Sequence, residues 1–510
     1  MQLKKDGEQT LLRLFGHFSI VLFVLTTSIL GAQSFEDFKK SNSKSFKEYK
    51  DSRDNDFNKY LKEQWKSYNV YKGTPLYEEP KPIAITPAQP KKIKSVGPKV
   101  NVKIKEIVLT KPKVKKKIEQ KIEEKLVILD KPKKEIIVKI PSPKIESKDI
   151  NFNFFGSQLG FNISDGLKNA KFYPRSQEGI RNFFDGAASS NYNELIAEVK
   201  SISTSMNLND WGVYLLVLDI SKNIHTNKDN ANLMSWFIFN KLGYSVKVGL
   251  AQKHIILMHY STKTIYSTPN YKFSNKKFYV ISNYAKDRIG RLYSYKQDYP
   301  GATKPMDLSL NTLPHLISDM KKKTLSFKEN GEKFDVAVEY NQNLIDFMAT
   351  YPQADYETYF NSPLDTKTYQ SIASSLKPYV DGKKAGDAMN FILHFVQKSF
   401  KYERDDQQFG REKVMFATET LYFDKSDCED RAILFSYLIK ELFDVGVVGV
   451  KYKDHMATAL YVPMSGDSVV AGKRKLILAD PTYVNASIGQ SMPKYKDLRP
   501  DSFVIVKREK

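Results

Sequence analysis

The chain has 510 residues, 41% of them hydrophobic and 13% aromatic, which is enough apolar material for more than one packed core. Its formal net charge of +22 suggests a polyanion partner, yet residues 91–150 alone carry 19 Lys against 8 acidic side chains, about half of that excess, and no nucleic-acid module accompanies them. A single cysteine excludes an internal disulfide and a protein-only structural zinc site, and with no Gly-rich phosphate loop or carboxylate metal motif neither a cofactor nor a metal is expected.

Residues 1–34 read as an export signal: Lys4, Lys5 and Arg13, then the apolar run Phe18 to Leu30, then Gly-Ala-Gln-Ser. The run is shorter than the roughly 18–20 residues a spanning helix prefers, which favours a cleaved signal peptide and a periplasmic or envelope location. Leu30 is large for a minus-three position, so an uncleaved inner-membrane anchor is the alternative.

Between 35 and 72, Phe35, Phe46, Phe57 and Tyr68 recur every eleven residues, as do Phe38, Tyr49, Tyr60 and Tyr71. Eleven residues make about three turns, so the pattern predicts a helix with one aromatic stripe. That stripe either packs on its own protein or serves self-association or a cell-envelope partner. Residues 73–150, with ten prolines from Pro75 to Pro143 among many lysines, predict an extended, solvated linker. Val100 to Ile104 is a short piece able to add as a strand to a partner's sheet.

From 151 to 314 a folded region is expected. Its stretch Lys253-His254 to Tyr260 parallels Asp454-His455 to Tyr461, and Ser267-Thr268-Pro269-Asn-Tyr271 parallels Ala479-Asp480-Pro481-Thr-Tyr483. This reads as a degenerate copy of the core at 385–485, with no nucleophile and with Thr268 in the place of Asp480. His254 and His259 are five apart on a strand and point to opposite faces, so they share no metal. An Asn330-Gly331 hairpin follows, then helices around 344–350, 366–379 and 385–400, and a polar loop from Tyr402 to Gly410.

The last segment carries the chemistry. Asp427 is an N-cap type of residue, and Ala432, Phe435, Leu438, Ile439 and Leu442 follow at helical spacing, which puts Cys428 in the first turn of a buried helix where the dipole favours a thiolate. Strands are expected at 445–452, 455–463 and 475–479, with Gly466-Asp467-Ser468 as the turn before the third. If the last two pair, His455 and Asp480 lie opposite one another. Cys428, His455 and Asp480 are then a candidate nucleophile, base and orienting carboxylate. The backbone N–H of Cys428 and the side chain of Gln408 or Tyr422 are candidate oxyanion donors.

Asp-Cys-Glu-Asp-Arg-Ala before a Leu-rich helix, a histidine opening a strand and Asp-Pro-Thr closing the next resemble the transglutaminase-like superfamily, as do the helix Ala388 to Tyr402 and Glu419-Thr-Leu421. The sequence departs from that family at Ser426, where Gly is usual, and at Met456-Ala457, where an aromatic is usual. The resemblance implies an α+β, papain-like core with Cys, His and Asp in that order, in a catalytic domain at 315–510 after the degenerate one at 151–314. It implies a cysteine enzyme acting through a thioester on amides of protein or peptide substrates, as a protease, deamidase or transglutaminase. The alternative is an envelope scaffold that keeps the triad unused.

A reporter active only after export, fused behind residue 150, should be active in the host. Silence of a stably expressed fusion would overturn the expected topology.

Overall fold

Two buried helices, each followed by a curled antiparallel sheet, organise the part of the chain that holds the candidate site. The computed structural model describes residues 52–62, 65–91, 94–105, 148–283 and 289–507; the expected leader and the first aromatic repeats lie outside them. Residues up to Gln64 and those from Trp65 onward form separate compact units. In the first unit residues 52–62 are helical. Among the described residues no helix is long and apolar enough to cross a membrane.

The aromatic-stripe helix does not reach residue 72. Strand β1 (Trp65–Tyr68) joins a sheet instead, and its Trp65 ring packs edge-on against Tyr295 at 5.5 Å. Aromatic residues are good strand formers, and here the sheet edge outbids the helical period.

The first sheet follows helix α1 (Lys228–Lys241), which is capped by Asn227 and buries Leu233, Met234, Trp236 and Phe237. Its further strands are β2 (Val246–Ala251), β3 (His254–Tyr260), β4 (Asn270–Phe273), β5 (Lys276–Tyr279) and β6 (Leu292–Tyr295), in the order β1-β6-β2-β3-β5-β4. A ten-residue hairpin, β7 (Met320–Glu329) with β8 (Glu332–Asn341), turns at Asn330 and Gly331, both at positive φ as a tight two-residue turn requires. Then come α2 (Thr366–Val380), α3 (Ala385–Ser399), α4 (Ala417–Tyr422) and α5 (Cys428–Phe443).

Helix α5 packs on the second sheet, formed by β9 (Val447–Lys451), β10 (Met456–Leu460), β11 (Ser468–Ala471), β12 (Arg474–Ala479) and β13 (Ser502–Ile505) in the order β11-β12-β10-β9-β13. Ser468, expected in the turn, opens a strand of its own, Ser468–Ala471. The hairpin therefore closes at Gly472, and β10 pairs with β12, Thr458 facing Ala479. In chain order, the five strands after α1 and the five after α5 are arranged alike: last, first, second, fourth, third. This order corrects one equivalence. The strand beside β3 is β5, and the residue that follows it, where Asp480 follows β12, is Val280; Thr268 instead precedes β4 and bonds to the Tyr266 carbonyl.

The segment expected as an extended linker does not run free over its described part. Tyr71 exchanges backbone hydrogen bonds with Asn270, Thr74 O accepts from Ser267 N, Ala88 N donates to Val484 O, and Gly386 N donates to Val96 O. Val102 N reaches Asp381, so residues 100–104 end against the α2–α3 turn and add to no sheet. Residues 71–91 and 94–105 thus form a strap from the first sheet, across the second half, to the start of α3. Leu76, Ala88 and Val102 are buried along it, so apolar anchors hold what Pro and Lys content alone would leave solvated.

Gly73 lies against the backbone of Ser267 and Thr268, where an added Cβ would stand 2.2 Å from Thr268 N. Gly73→Ala should therefore lower the thermal midpoint, at a cost of about 1–3 kcal/mol for overpacking. An unchanged midpoint in differential scanning fluorimetry would show that the strap is not docked there.

Candidate functional site

Helix α5 begins inside the protein. Asp427, Cys428, Glu429, Asp430 and Arg431 are all fully or almost fully buried. Asp430 accepts from the backbone N–H of Met415 at 2.8 Å and of Asp427 at 3.3 Å, which ties the helix start to the loop before α4. Arg431 donates to the carbonyls of Phe400, at 2.7 Å, and Gln397 and to the hydroxyl of Ser426, which fixes the end of α3 against the same turn. Single-residue placement of Cys428 follows from these bonds.

Across the sheet, His455 immediately precedes β10 and Asp480 immediately follows β12. His455 Nε2 lies 2.9 Å from Asp480 Oδ2. The other carboxylate oxygen of Asp480 accepts from the backbone N–H of Thr482 at 2.9 Å and Tyr483 at 3.2 Å, and Gln397 holds the Asp480 carbonyl. The imidazole stacks on Tyr495 at 4.7 Å, whose hydroxyl donates to Asp454. An acceptor at Nε2 puts the proton there and leaves Nδ1 with a lone pair. Nδ1 is buried and has no hydrogen-bond partner.

The structure thus joins His455 to Asp480 but not to Cys428. The thiol donates instead to Glu429 Oε2 at 3.2 Å, and the hydroxyl of Tyr77 lies 3.9 Å from Sγ while donating to the same Glu429 oxygen at 3.0 Å. Burial, then the charges of Glu429 and Asp427, push the thiol well above its ordinary value. A helix terminus contributes only about 0.3–2 kcal/mol, which burial and two carboxylates outweigh here. The thiolate expected from the helix start is therefore not the form held in this geometry.

Glu429 is kept ionised by a residue of the strap. Lys81, 4% exposed, sets its ammonium 2.6 Å from Asp427 and from Glu412 and 3.3 Å from Asp405, and pairs most closely with Glu429. Burial opposes ionisation of Glu429, but the ammonium holds its carboxyl below the usual range. The remaining acids hold their protons to higher pH: burial pushes Asp405 up to about 6 and Glu412 up to about 7, and raises Asp427 well above normal. The oxygens of Asp405, Asp427 and Asp430, and those of Asp405, Glu412 and Glu429, cluster closely enough to hold a metal ion, but the cationic position among Asp405, Asp427, Glu412 and Glu429 belongs to Lys81.

Of the candidate oxyanion residues, Tyr422 packs its ring on Tyr340 and Phe423, and its carbonyl accepts from Lys323. That places it beside the β7–β8 hairpin. Gln408 ends the helical turn begun by Asp405, and its Oε1 is buried without a hydrogen-bond partner. In the first half, Lys228 occupies the helix position of Cys428, and the exposed His254 meets Asp229 at 3.3 Å. Comparison with family models, curated proteins and solved structures finds no match for this chain.

Tyr77, Lys81, Asp405, Glu412 and Glu429 are the site residues that sequence reasoning misses. The one signal for them is Asp427-Cys-Glu-Asp430 opening an apolar helix: three carboxylates entering a core demand a cation from elsewhere.

Removing that cation should be costly. Because Asp405 and Glu412 titrate above their ordinary range, the folded state binds more protons than the unfolded one between about pH 4 and 7, and stability falls as pH rises through that window. Lys81→Met should lose about 3–5 kcal/mol. The gap in thermal midpoint from wild type should widen from pH 5 to pH 8, since the variant's carboxyls are raised further. A gap that is flat with pH would show that Lys81 does not hold these acids.

Proposed function

We propose that this chain is an exported cysteine enzyme of the transglutaminase-like, papain-like type, acting on amide bonds of protein or peptide substrates. The observation that carries this reading is the buried His455–Asp480 pair with Nδ1 unpaired, at the ends of two paired strands of the sheet against which the helix opening with the only cysteine packs. In this mechanism Nδ1 takes the thiol proton, the sulfur attacks the amide carbonyl, and the oxyanion is met by the Cys428 N–H. The imidazolium then protonates the leaving amine, and water or a second amine resolves the thioester. Asp480 holds the tautomer throughout.

Cys428 is fully buried beneath Tyr77 in the described geometry, so the strap moves aside before a substrate reaches the sulfur. A specific observation favours a second reading. The thiol is bonded to a carboxylate and held neutral, as an envelope scaffold with an unused triad would have it.

Iodoacetamide labelling separates the two. Tyr77→Ala should speed alkylation of Cys428, and in that background His455→Ala should slow it far more at pH 6 than at pH 9. Asp480→Asn should keep the fold and lose most of any amidase or transferase rate. Alkylation that follows an ordinary thiol near pKa 8.5 and ignores His455→Ala would favour the scaffold.

A further inference from the structure

The strap lies in its groove as a bound peptide would. Prolines at 75, 80 and 82 keep it extended. Its backbone is caught on one side by Tyr402, whose hydroxyl donates to the Pro82 carbonyl at 2.7 Å, and by Arg404, which reaches the Lys81 carbonyl. The Glu79 N–H faces the Lys453 carbonyl on the other side, and Tyr77 crosses over the sulfur. Leu76 is buried in the same stretch, and its one charged side chain to enter the protein is Lys81.

The pocket that receives it offers more carboxyl oxygens than the three N–H donors of one lysine can meet. Four carboxylates, from Asp405, Glu412, Asp427 and Glu429, surround a group with three N–H donors, and the second oxygens of Asp405 and Asp427 are buried without hydrogen-bond partners. Carboxylates buried to this degree are stable only opposite a cation, and the pocket holds one, an ammonium. Glu429 also links the pocket to the thiol, with one oxygen on Lys81 and the other on Sγ.

We infer that the acidic pocket beside Cys428 is a binding site for a lysine side chain presented by an extended, proline-flanked peptide, filled in cis by Lys81 while the strap is closed. This rests on the catalytic reading above and names its substrate class: peptides with a lysine near the bond attacked. The strap is a tenant of the site, and a substrate takes over both its backbone track and its ammonium position.

The test uses full-length protein carrying Cys428→Ala, so that binding is read without chemistry and its outcome is independent of whether the thiol is active. The probe is a fluorescent peptide of residues 74–82, Thr-Pro-Leu-Tyr-Glu-Glu-Pro-Lys-Pro, followed by anisotropy. Binding should be at least tenfold tighter to Lys81→Ala than to protein with Lys81 intact. It should weaken at least tenfold when norleucine replaces the peptide lysine or when Asp405→Asn and Glu412→Gln are added. Tyr77→Ala loosens the strap and leaves the carboxylates in place, and it serves where Lys81→Ala does not fold. Equal binding of lysine and norleucine peptides, or no binding to either loosened variant, overturns the proposal and leaves Lys81 a structural ion pair. Stabilisation of Lys81→Ala by calcium or magnesium with no peptide binding overturns it as well, making the pocket an inorganic cation site.

Discussion

One ammonium group, that of Lys81, makes the start of α5 possible. Asp427, Glu429 and Asp430 enter a region closed to solvent, and Asp405 and Glu412 approach from the loop between α3 and α4. Without a cation the charged forms would be expelled or neutralised, and the first turn of α5 would have to open. Lys81 keeps Glu429 ionised, and Glu429 in turn accepts the thiol hydrogen bond, so a residue 347 positions earlier in the chain fixes the carboxylate that the only cysteine is bonded to. The strap, the loop and the helix are one electrostatic unit.

What the sequence makes legible here is local. Asp427 and the apolar spacing after it mark where α5 begins, and the strands expected on either side of the turn do pair, two residues off the expected register, which still brings His455 to Asp480. Both depend on neighbours within a few residues or across one sheet, where turn chemistry and period suffice. The strap is not legible this way, because its Pro and Lys composition is that of a solvated linker. Its fixation comes from single anchors, Leu76, Tyr77, Lys81 and Ala88, whose partners lie hundreds of residues on.

Two other differences have the same origin. Trp65 to Tyr68 keep the eleven-residue period, yet pair as a strand because an aromatic sheet edge at Leu292–Tyr295 is available, which no helical wheel reports. Thr268 matches Asp480 in its neighbours, since both stand before Pro and close to Tyr, but the strand beside β3 is the later one and the residue after it is Val280. Sequence similarity follows dipeptides, and a triad position follows strand order. In the first half the strand order recurs while the helix opens on Lys228 and the position after the fourth strand is apolar, so this half has the frame without the chemistry.

The strap also bears on how the molecule is made. Tyr77 and Cys428 are 351 residues apart, so the cover is synthesised long before the site it covers exists. When α5 forms, Asp427 and Glu429 meet a lysine already present in the same molecule, at an effective concentration set by tethering. Closing so long a loop carries an entropic cost that the contacts of Tyr77 and Lys81 have to offset. Until Lys81 docks, the carboxylates at the helix start lack the ammonium that they meet in the finished molecule.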